Sequence, residues 1–307
     1  MKAAFFSKMG GPEVMEYGEV PDPVAAPDQV IVDIHAASVN AADAKVRTGH
    51  YAPITEFPSI LGRDFSGVVS ALGSDVDDLK VGDEVFGVCA GGQEGAYAEK
   101  IAIKASIIAK KPDGLSHVEL AALSLIGLTA LVSIEDTLKL KSGEKILVQG
   151  GAGGVASFAI QISKHIGAHV ITTASTTNHD YVRGLGADEV IDYNTQDFTE
   201  VVSDCDAVFE TIGGDVATRS FAVLKPGGRA AFIGSGGKAP VPPRDDVESL
   251  RPAVGRDRPH LERIVELVQS GAIRVPEITE YHLRDAKAAQ EISESRHLRG
   301  KMVFKVR

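Results

Sequence analysis

The stretch Lys145-Ile-Leu-Val-Gln-Gly-Gly-Ala-Gly-Gly-Val-Ala-Ser-Phe-Ala-Ile-Gln-Ile-Ser-Lys164 constrains the fold more than any other part of the chain. The apolar run Ile146-Leu147-Val148 suits a buried parallel strand. Glycines follow at 150, 151, 153 and 154, and then Val155, Ala159, Ile162 and Ile166 recur at helical spacing. Strand, glycine turn and helix in that order make a dinucleotide site, and Gly151-Ala152-Gly153-Gly154-Val155-Ala156 fits G-x-G-x-x-A. In this reading Gly151 permits the tight turn, Gly153 lets the backbone approach a pyrophosphate, and small Ala156 lets the helix pack on its strand. The helix N-terminus then offers free N–H groups and partial positive charge to phosphates.

The rest of the chain supplies a parallel sheet around that unit. Val170 to Thr173, Val190 to Asp192, Ala207 to Glu210 and Arg229 to Ile233 read as strands. They alternate with helical segments at 178–185 and 217–224, which predicts a doubly wound sheet with helices on both faces. Residues 234–246 read as a surface loop, residues 247–254 as a further edge strand, and residues 260–270 as an amphipathic helix. A helix is expected from Ser116, which with Glu119 forms a capping-box pattern.

The first 115 residues are different. Val30, Val32, Ile34 and Ala36 alternate with neighbours of mixed polarity. Residues 67–72, 84–88 and 97–103 are further short strands between turn signals, which together predict a small β-barrel. The end of the chain reads strand (278–283), helix (286–292), strand (302–306) and is expected to return to that first domain. The expected boundaries are 1–116 with 263–307 for the barrel domain and 117–262 for the nucleotide domain.

Composition excludes some functions. The formal net charge is −10 and no basic run stands out, which argues against nucleic acid as a partner. No apolar run is expected to cross a bilayer, and the start turns polar too early for a signal peptide, so a cytoplasmic protein with no membrane partner is expected. The two cysteines, Cys89 and Cys205, are too few for a disulfide framework or a four-cysteine zinc site and read as small buried hydrophobes.

The cofactor is read from the end of the second strand of the sheet. NAD sites carry an acid about twenty residues past the glycines to bind the ribose hydroxyls. Here the loop is Thr173-Ala-Ser175-Thr-Thr-Asn178, with no carboxylate before Asp180. That favours NADP, with Ser175 and Asn178 as hydrogen-bond donors to the 2′-phosphate. The alternative is that these residues only cap the following helix.

Taken together, several motifs resemble the medium-chain dehydrogenase/reductase superfamily in its zinc-independent NADPH:quinone oxidoreductase branch. They are Ser38-Val-Asn40-Ala-Ala-Asp43, Pro58-Ser-Ile-Leu-Gly62-Arg63-Asp64-Phe-Ser-Gly67, Val81-Gly-Asp83, Gly95-Ala-Tyr97-Ala-Glu99, Gly127-Leu-Thr129, the glycine turn, Leu185-Gly-Ala-Asp188 and Gly300-Lys301. The resemblance implies an α/β protein in which a GroES-like β-barrel catalytic domain is interrupted by a Rossmann domain, and it implies a homodimer. The zinc branch carries Cys where this chain has Asn40, and Gly-His-Glu where it has Gly62-Arg63-Asp64, so no metal ligands are expected.

For the cofactor, the resemblance implies contacts from Thr129, Gly151, Ala152, Gly153, Gly154, Val155, Tyr193, Thr211, Ile212, Gly213, Phe232, Ile233 and Gly234. It places Asn40, Asp43 and Tyr51 at the substrate pocket as catalytic candidates. The alternatives are a backbone hydrogen bond for Asn40, a turn or pocket-wall role for Asp43, and packing for Tyr51. Without a Lewis acid, the expected substrate is a small electron-poor acceptor. The first reading is a quinone. The alternatives are the C=C bond of an α,β-unsaturated ketone or aldehyde, or a low-turnover NADPH-binding sensor.

Overall fold

The computed structural model describes residues 1–51, 54, 56–295 and 299–307. They form two compact units. One comprises Met1–Leu125, Gly255–Val265 and Val275–Arg307, the other Ile126–Val254 and Glu266–Arg274.

The first unit opens with β1 (Lys2–Phe6) and β2 (Met15–Glu19), an antiparallel pair that the sequence reading passed over. β3 (Gln29–Ser38) follows, with Val30, Val32, Ile34 and Ala36 fully buried as their alternation predicts. Next comes α1 (Ala41–Arg47), a helix that the sequence patterning does not predict. Asn40 is its N-cap residue, and the Asp43 carboxylate accepts a hydrogen bond from the Asn40 backbone N–H at 2.8 Å. Seven residues are too few to show a hydrophobic period, and that is why the helix was missed.

β4 (Ser59–Ile60), β5 (Asp64–Leu72), β6 (Glu84–Val88), β7 (Lys100–Lys104) and β8 (Ile108–Lys110) complete the N-terminal part. The strand expected over 97–103 starts only at Lys100; Ala98 makes an isolated bridge to Ala3.

α2 (His117–Leu131) begins as its capping box predicts, with Glu119 N–H donating to Ser116 Oγ and Ser116 N–H donating to the Glu119 carboxylate. It continues through a π-helical stretch, Val132–Thr137. By length and composition these 21 residues are apolar enough to cross a bilayer, which corrects the expectation that no run is. Burial inside the protein accounts for 78% of that apolar stretch.

The second unit is the doubly wound sheet. Its strands are β9 (Lys145–Val148), β10 (His169–Ala174), β11 (Glu189–Asp192), β12 (Cys205–Glu210), β13 (Leu224–Phe232) and β14 (Glu248–Leu250). They lie in the order β11-β10-β9-β12-β13-β14, all parallel. The order reverses between β9 and β12, and ligands bind at the carboxyl ends of strands at such a switch point.

α3 (Gly154–Ile166), α4 (His179–Gly184), α5 (Phe198–Val201) and α6 (Gly214–Arg219) are the connections. The helix expected over 217–224 instead starts at Gly214 and tightens to a 3₁₀ turn over Ser220–Val223. The edge strand expected over 247–254 is only three residues long and ends before Pro252.

α7 (Arg258–Gln269), β15 (Ile278–His282), α8 (Ala286–Glu294) and β16 (Lys301–Lys305) close the chain. β16 pairs antiparallel with β3, so the chain end does return to the first unit. The core of that unit joins Phe6, Val32, Phe65, Tyr97 and Phe304, residues from both ends of the chain. Cys89 and Cys205 are buried as expected, and burial pushes both thiols above the usual range.

Candidate active site

In the second unit the glycine turn connects β9 to α3. Its geometry redistributes the roles expected of the glycines. Gly150, not Gly151, holds the left-handed backbone of the turn (φ +72). Gly151 is required by space: a Cβ there would stand 2.2 Å from Thr172 Oγ1 and 3.0 Å from Ile160 Cδ1. The turn is fixed by Gly150 N–H donating to Thr173 Oγ1, and by Gly151 N–H donating to the Thr173 carbonyl, both at 2.9 Å. Gly153 is exposed and caps α3, and Ala156 is buried against the sheet. Ala152, Gly154 and Val155 are half-buried around the helix N-terminus, where the first-turn N–H groups lack intrahelical acceptors.

Beside the turn, Thr211 Oγ1 donates to the Gln149 carbonyl at 2.9 Å, tying the β12 loop to the β9 loop at the switch point. Glu210, at the end of β12, is fully buried, and one carboxylate oxygen accepts from the N–H groups of Ile212 and Gly213, each at 2.7 Å. Burial raises the Glu210 carboxyl above its usual range. The β12 and β13 loops then meet backbone to backbone: a Cβ on Gly213 would stand 2.6 Å from the Gly234 carbonyl oxygen. Ile212 is exposed. Ile233 is half-buried, and its N–H donates to the Glu210 carbonyl. The Phe232 ring lies in the core against Phe221, which leaves only its backbone for a ligand. Thr129 lies half-buried in the last turn of α2.

The β10 loop carries Ser175 and Asn178, with Asn178 Nδ2 donating to Ser175 Oγ at 3.0 Å. The loop has no acid of its own, but the fold brings one from the next strand. Asp192 ends β11 opposite Ala174 and accepts from Thr176 Oγ1. Its other oxygen accepts from Asn194 N–H at 3.0 Å. These hydrogen bonds, Thr176 first, hold Asp192 below the usual carboxylate range. Tyr193, next to it, is exposed.

In the first unit the structure brings Asn40 and Asp43 together and sets Tyr51 with a different group. Asn40 Nδ2 donates to Asp64 Oδ1 at 2.8 Å, and Lys301 Nζ donates to Asn40 Oδ1 at 2.8 Å and to the Val39 carbonyl at 2.7 Å. Asp64 also accepts from Ser38 Oγ and Leu125 N–H. Burial pushes Asp64 up and Lys301 down, each opposed by the charge of the other. Asp43 is fully buried, and Tyr97 OH donates to it at 2.5 Å. Tyr51 is exposed and lies under the Arg63 guanidinium, 4.2 Å from the ring centroid. Arg63 Nε donates to Glu94 Oε1 at 2.6 Å.

The sequence reading named neither Glu94, Tyr97, Glu210 nor Lys301 as part of a site. Arg63 and Asp64 were recognised only as replacements for metal ligands. For Arg63, Asp64, Tyr97 and Lys301 the one available signal was their position in the quoted motifs; Glu94 and Glu210 lie outside these, and nothing in the spacing marks which polar side chains are buried.

Burial raises Asp43 from 3.8 to about 6, partly offset by Tyr97 and the Asn40 N–H. A raised folded pKa contributes stability that is complete below 3.8 and lost as pH rises through about 6. Asp43→Asn removes that dependence. The stability of wild type relative to this variant should fall by about 2–3 kcal/mol between about pH 4 and pH 7.5. Denaturant unfolding across that range measures it, and a constant difference would refute the assignment.

The second unit fits a dinucleotide: its cradle excludes a Cβ at Gly151, a helix N-terminus opens from the turn, and the turn lies at the switch point. Comparison with known proteins agrees. Residues 26–113 match the alcohol dehydrogenase GroES-like domain, and residues 185–304 match the zinc-binding dehydrogenase domain. The chain is 36% identical over 273 residues to the 2-methylene-furan-3-one reductase of Solanum lycopersicum, covering 85% of this chain and 69% of that protein. It spans about two thirds of the length of the curated relatives it matches.

Among solved structures, it superposes on the quinone oxidoreductase of Coxiella burnetii with a TM-score of 0.90 and 34% identity, covering 100% of this chain and 99% of that one. It superposes on the Escherichia coli quinone oxidoreductase complexed with NADPH with a TM-score of 0.92 and 29% identity, covering 100% of both. Strand order, glycine turn and relatives agree: the chain belongs to the medium-chain dehydrogenase/reductase superfamily, in its quinone oxidoreductase branch, and is an oxidoreductase that uses NADP.

Proposed function

We propose that the protein reduces quinones with NADPH and without a bound metal. The observation that carries this reading is the state of the three positions where the zinc branch holds its ion. Asn40 is engaged at both ends of its amide, Asp64 is engaged by Ser38 and Asn40, and Arg63 is a cation paired with Glu94. A guanidinium at such a position repels a metal ion and can donate hydrogen bonds to a carbonyl oxygen.

When bound, NADPH supplies the hydride. The chain's own residues bind and orient. The turn at Gly151 to Val155 would hold the pyrophosphate, Ser175, Asn178 and Tyr193 would hold the adenosine phosphate end, and Thr129, Thr211, Ile212, Gly213, Ile233 and Gly234 would hold the nicotinamide end. In the first unit, Tyr51 and Arg63 line a cavity of about 500 Å³, within the range that takes a small ring compound. Reduction of the C=C bond of an α,β-unsaturated ketone is the second reading. It is favoured by the match to a protein named for reducing 2-methylene-furan-3-one.

A panel of quinones and enones, each assayed with NADPH and NADH at 340 nm, tests the proposal. We expect turnover of quinones with NADPH preferred at least about tenfold, since each 1.4 kcal/mol of phosphate recognition is a factor of ten. A chelator should leave the rate unchanged. Chelator-sensitive activity restored by zinc would refute the metal-free reading, and exclusive turnover of enones would establish the second.

A further inference from the structure

We propose that Glu94, held by Arg63, is the acid that gives the reduced acceptor its proton. This inference rests on the quinone or enone reading above and deepens it.

Glu94 sits in the turn between β6 and β7, in Gly91-Gly92-Gln93-Glu94-Gly95. Its side chain is 13% exposed, and that of Arg63 is 9% exposed. Glu94 Oε1 takes the hydrogen bond from Arg63 Nε. Glu94 Oε2 is shielded from solvent and has no hydrogen-bond partner among the described residues. A buried carboxylate oxygen without a donor is costly, whereas a neutral carboxyl group is far less so. Glu94, Arg63 and Tyr51 all line the same cavity. Glu94 therefore lines the space proposed for the acceptor, with one carboxylate oxygen held by Arg63 and the other just beneath the surface without a donor.

The charges around it are mixed. Arg63 pulls the group toward ionisation, while Asp43 from α1 and Asp64 from β5 push it toward the acid form. Tyr97 and Cys89 lie within reach of its field, and both stay protonated at neutral pH because burial and nearby carboxylates raise them. Arg256 stands near Cys89 and Arg63, and its guanidinium donates to the Cys89 carbonyl. Burial is the largest influence, with Asp43 second, and the Glu94 carboxyl is pushed up to about 8. The other acids of the cluster are worse donors. Asp43 also has a buried oxygen without a donor, but it is fully buried, accepts from Tyr97 and does not line the cavity, and Asp64 is held by Ser38, Asn40 and Leu125.

Hydride delivery places two electrons on the acceptor and leaves negative charge on its oxygen. The Glu94 O–H bond breaks, an O–H bond forms on the hydroquinone or enol, and Glu94 remains as a carboxylate paired with Arg63. Water returns a proton to Glu94 before the next turnover, so one NADPH, one acceptor and one proton give NADP⁺ and the reduced acceptor.

Two measurements on the full-length protein test this. The first is infrared difference spectroscopy of wild type and Glu94→Gln between pH 6 and pH 10. A protonated-carboxyl band that is present at pH 6.5, lost by about pH 9 and absent in E94Q supports the proposal. No such band overturns it. The second is the pH profile of kcat with NADPH and the best acceptor. Wild-type kcat should be flat below about pH 7 and fall through about pH 8. E94Q should lose about 100-fold at pH 7 and show no such limb. NADPH affinity should stay at the wild-type value, and Glu94→Asp should restore part of the rate. An active wild type matched by E94Q in both rate and profile sinks the role of Glu94 alone. A wild type that shows the band but oxidises NADPH with no acceptor sinks the reductase reading, and the donor role with it.

Discussion

Gly151→Ala is expected to lower NADPH affinity by at least about 100-fold and to destabilise the nucleotide-binding unit by about 2–3 kcal/mol. The reason is local. The added methyl would sit 2.2 Å from Thr172 Oγ1, which is itself fully buried and donates to the Val148 carbonyl. Thr172 belongs to β10, paired on both sides by β9 and β11, so it has little room to retreat. The backbone of the turn must move instead. Overpacking of this kind costs about 1–3 kcal/mol. The same movement carries the N–H groups of the helix N-terminus away from the pyrophosphate, and displaced donors lose both their hydrogen bonds and the favourable field of the helix. A second change locates the cause. Thr172→Ala removes the atom in the way at a cost of about 1 kcal/mol for its hydrogen bond. The double variant should therefore bind NADPH more tightly than Gly151→Ala alone. Fluorescence titration of NADPH with the three variants decides it. If Gly151→Ala binds as wild type does, the steric account of the turn is wrong.

The glycine pattern, the apolar runs and their alternation with helices were enough to predict the parallel sheet, because period and turn chemistry are local signals. The return of the chain end to the first unit followed the same way, from strand, helix, strand. Roles that depend on contact between distant residues were not legible. The letters G-G-A-G-G do not say which glycine has positive φ, and the structure gives that to Gly150. The β10 loop contains no acid, yet the parallel pairing of Ala174 with Asp192 brings a carboxylate to it across 18 residues. Asn40 and Asp43 were named through the family resemblance, not through any local signal. That Asp64, 24 residues away, and Lys301, 261 residues away, clasp Asn40 from either side is a property of the folded chain alone. Phe232 illustrates the converse, since its place at the end of a strand suggested a cofactor contact while its ring packs into the core.

Lys301→Met is expected to destabilise the first unit severely. Lys301 is 3% exposed, follows Gly300 into β16, and directs its ammonium at the Val39 carbonyl and at Asn40 Oδ1. Asn40 passes the polarity on to Asp64, so an ammonium and a carboxylate, both buried, are linked through one amide. Methionine fills the volume and leaves Asp64 without its counter-charge, Asn40 Oδ1 without its donor, and the Val39 carbonyl without its side-chain partner. Removing one member of a buried ion pair costs about 3–5 kcal/mol, because the other is left uncompensated. For a unit of this size that corresponds to a fall of about 10 °C in the unfolding midpoint.

The pH dependence gives the cause away. Asp64 is already raised by burial, and Lys301 is the largest influence opposing that rise. Without Lys301 the folded-state value moves further up. A raised folded value means stability that is complete at low pH and lost as pH rises through it. The deficit of Lys301→Met should therefore be larger at pH 8 than at pH 5. Adding Asp64→Asn removes the stranded charge, so the double variant should be more stable than Lys301→Met at pH 8 and close to it at pH 5. Thermal unfolding of the variants at both pH values reads this directly. A deficit independent of pH, or one that Asp64→Asn deepens at pH 8, would mean that Lys301 acts through packing alone and that Asn40 is not held by a charge on each side.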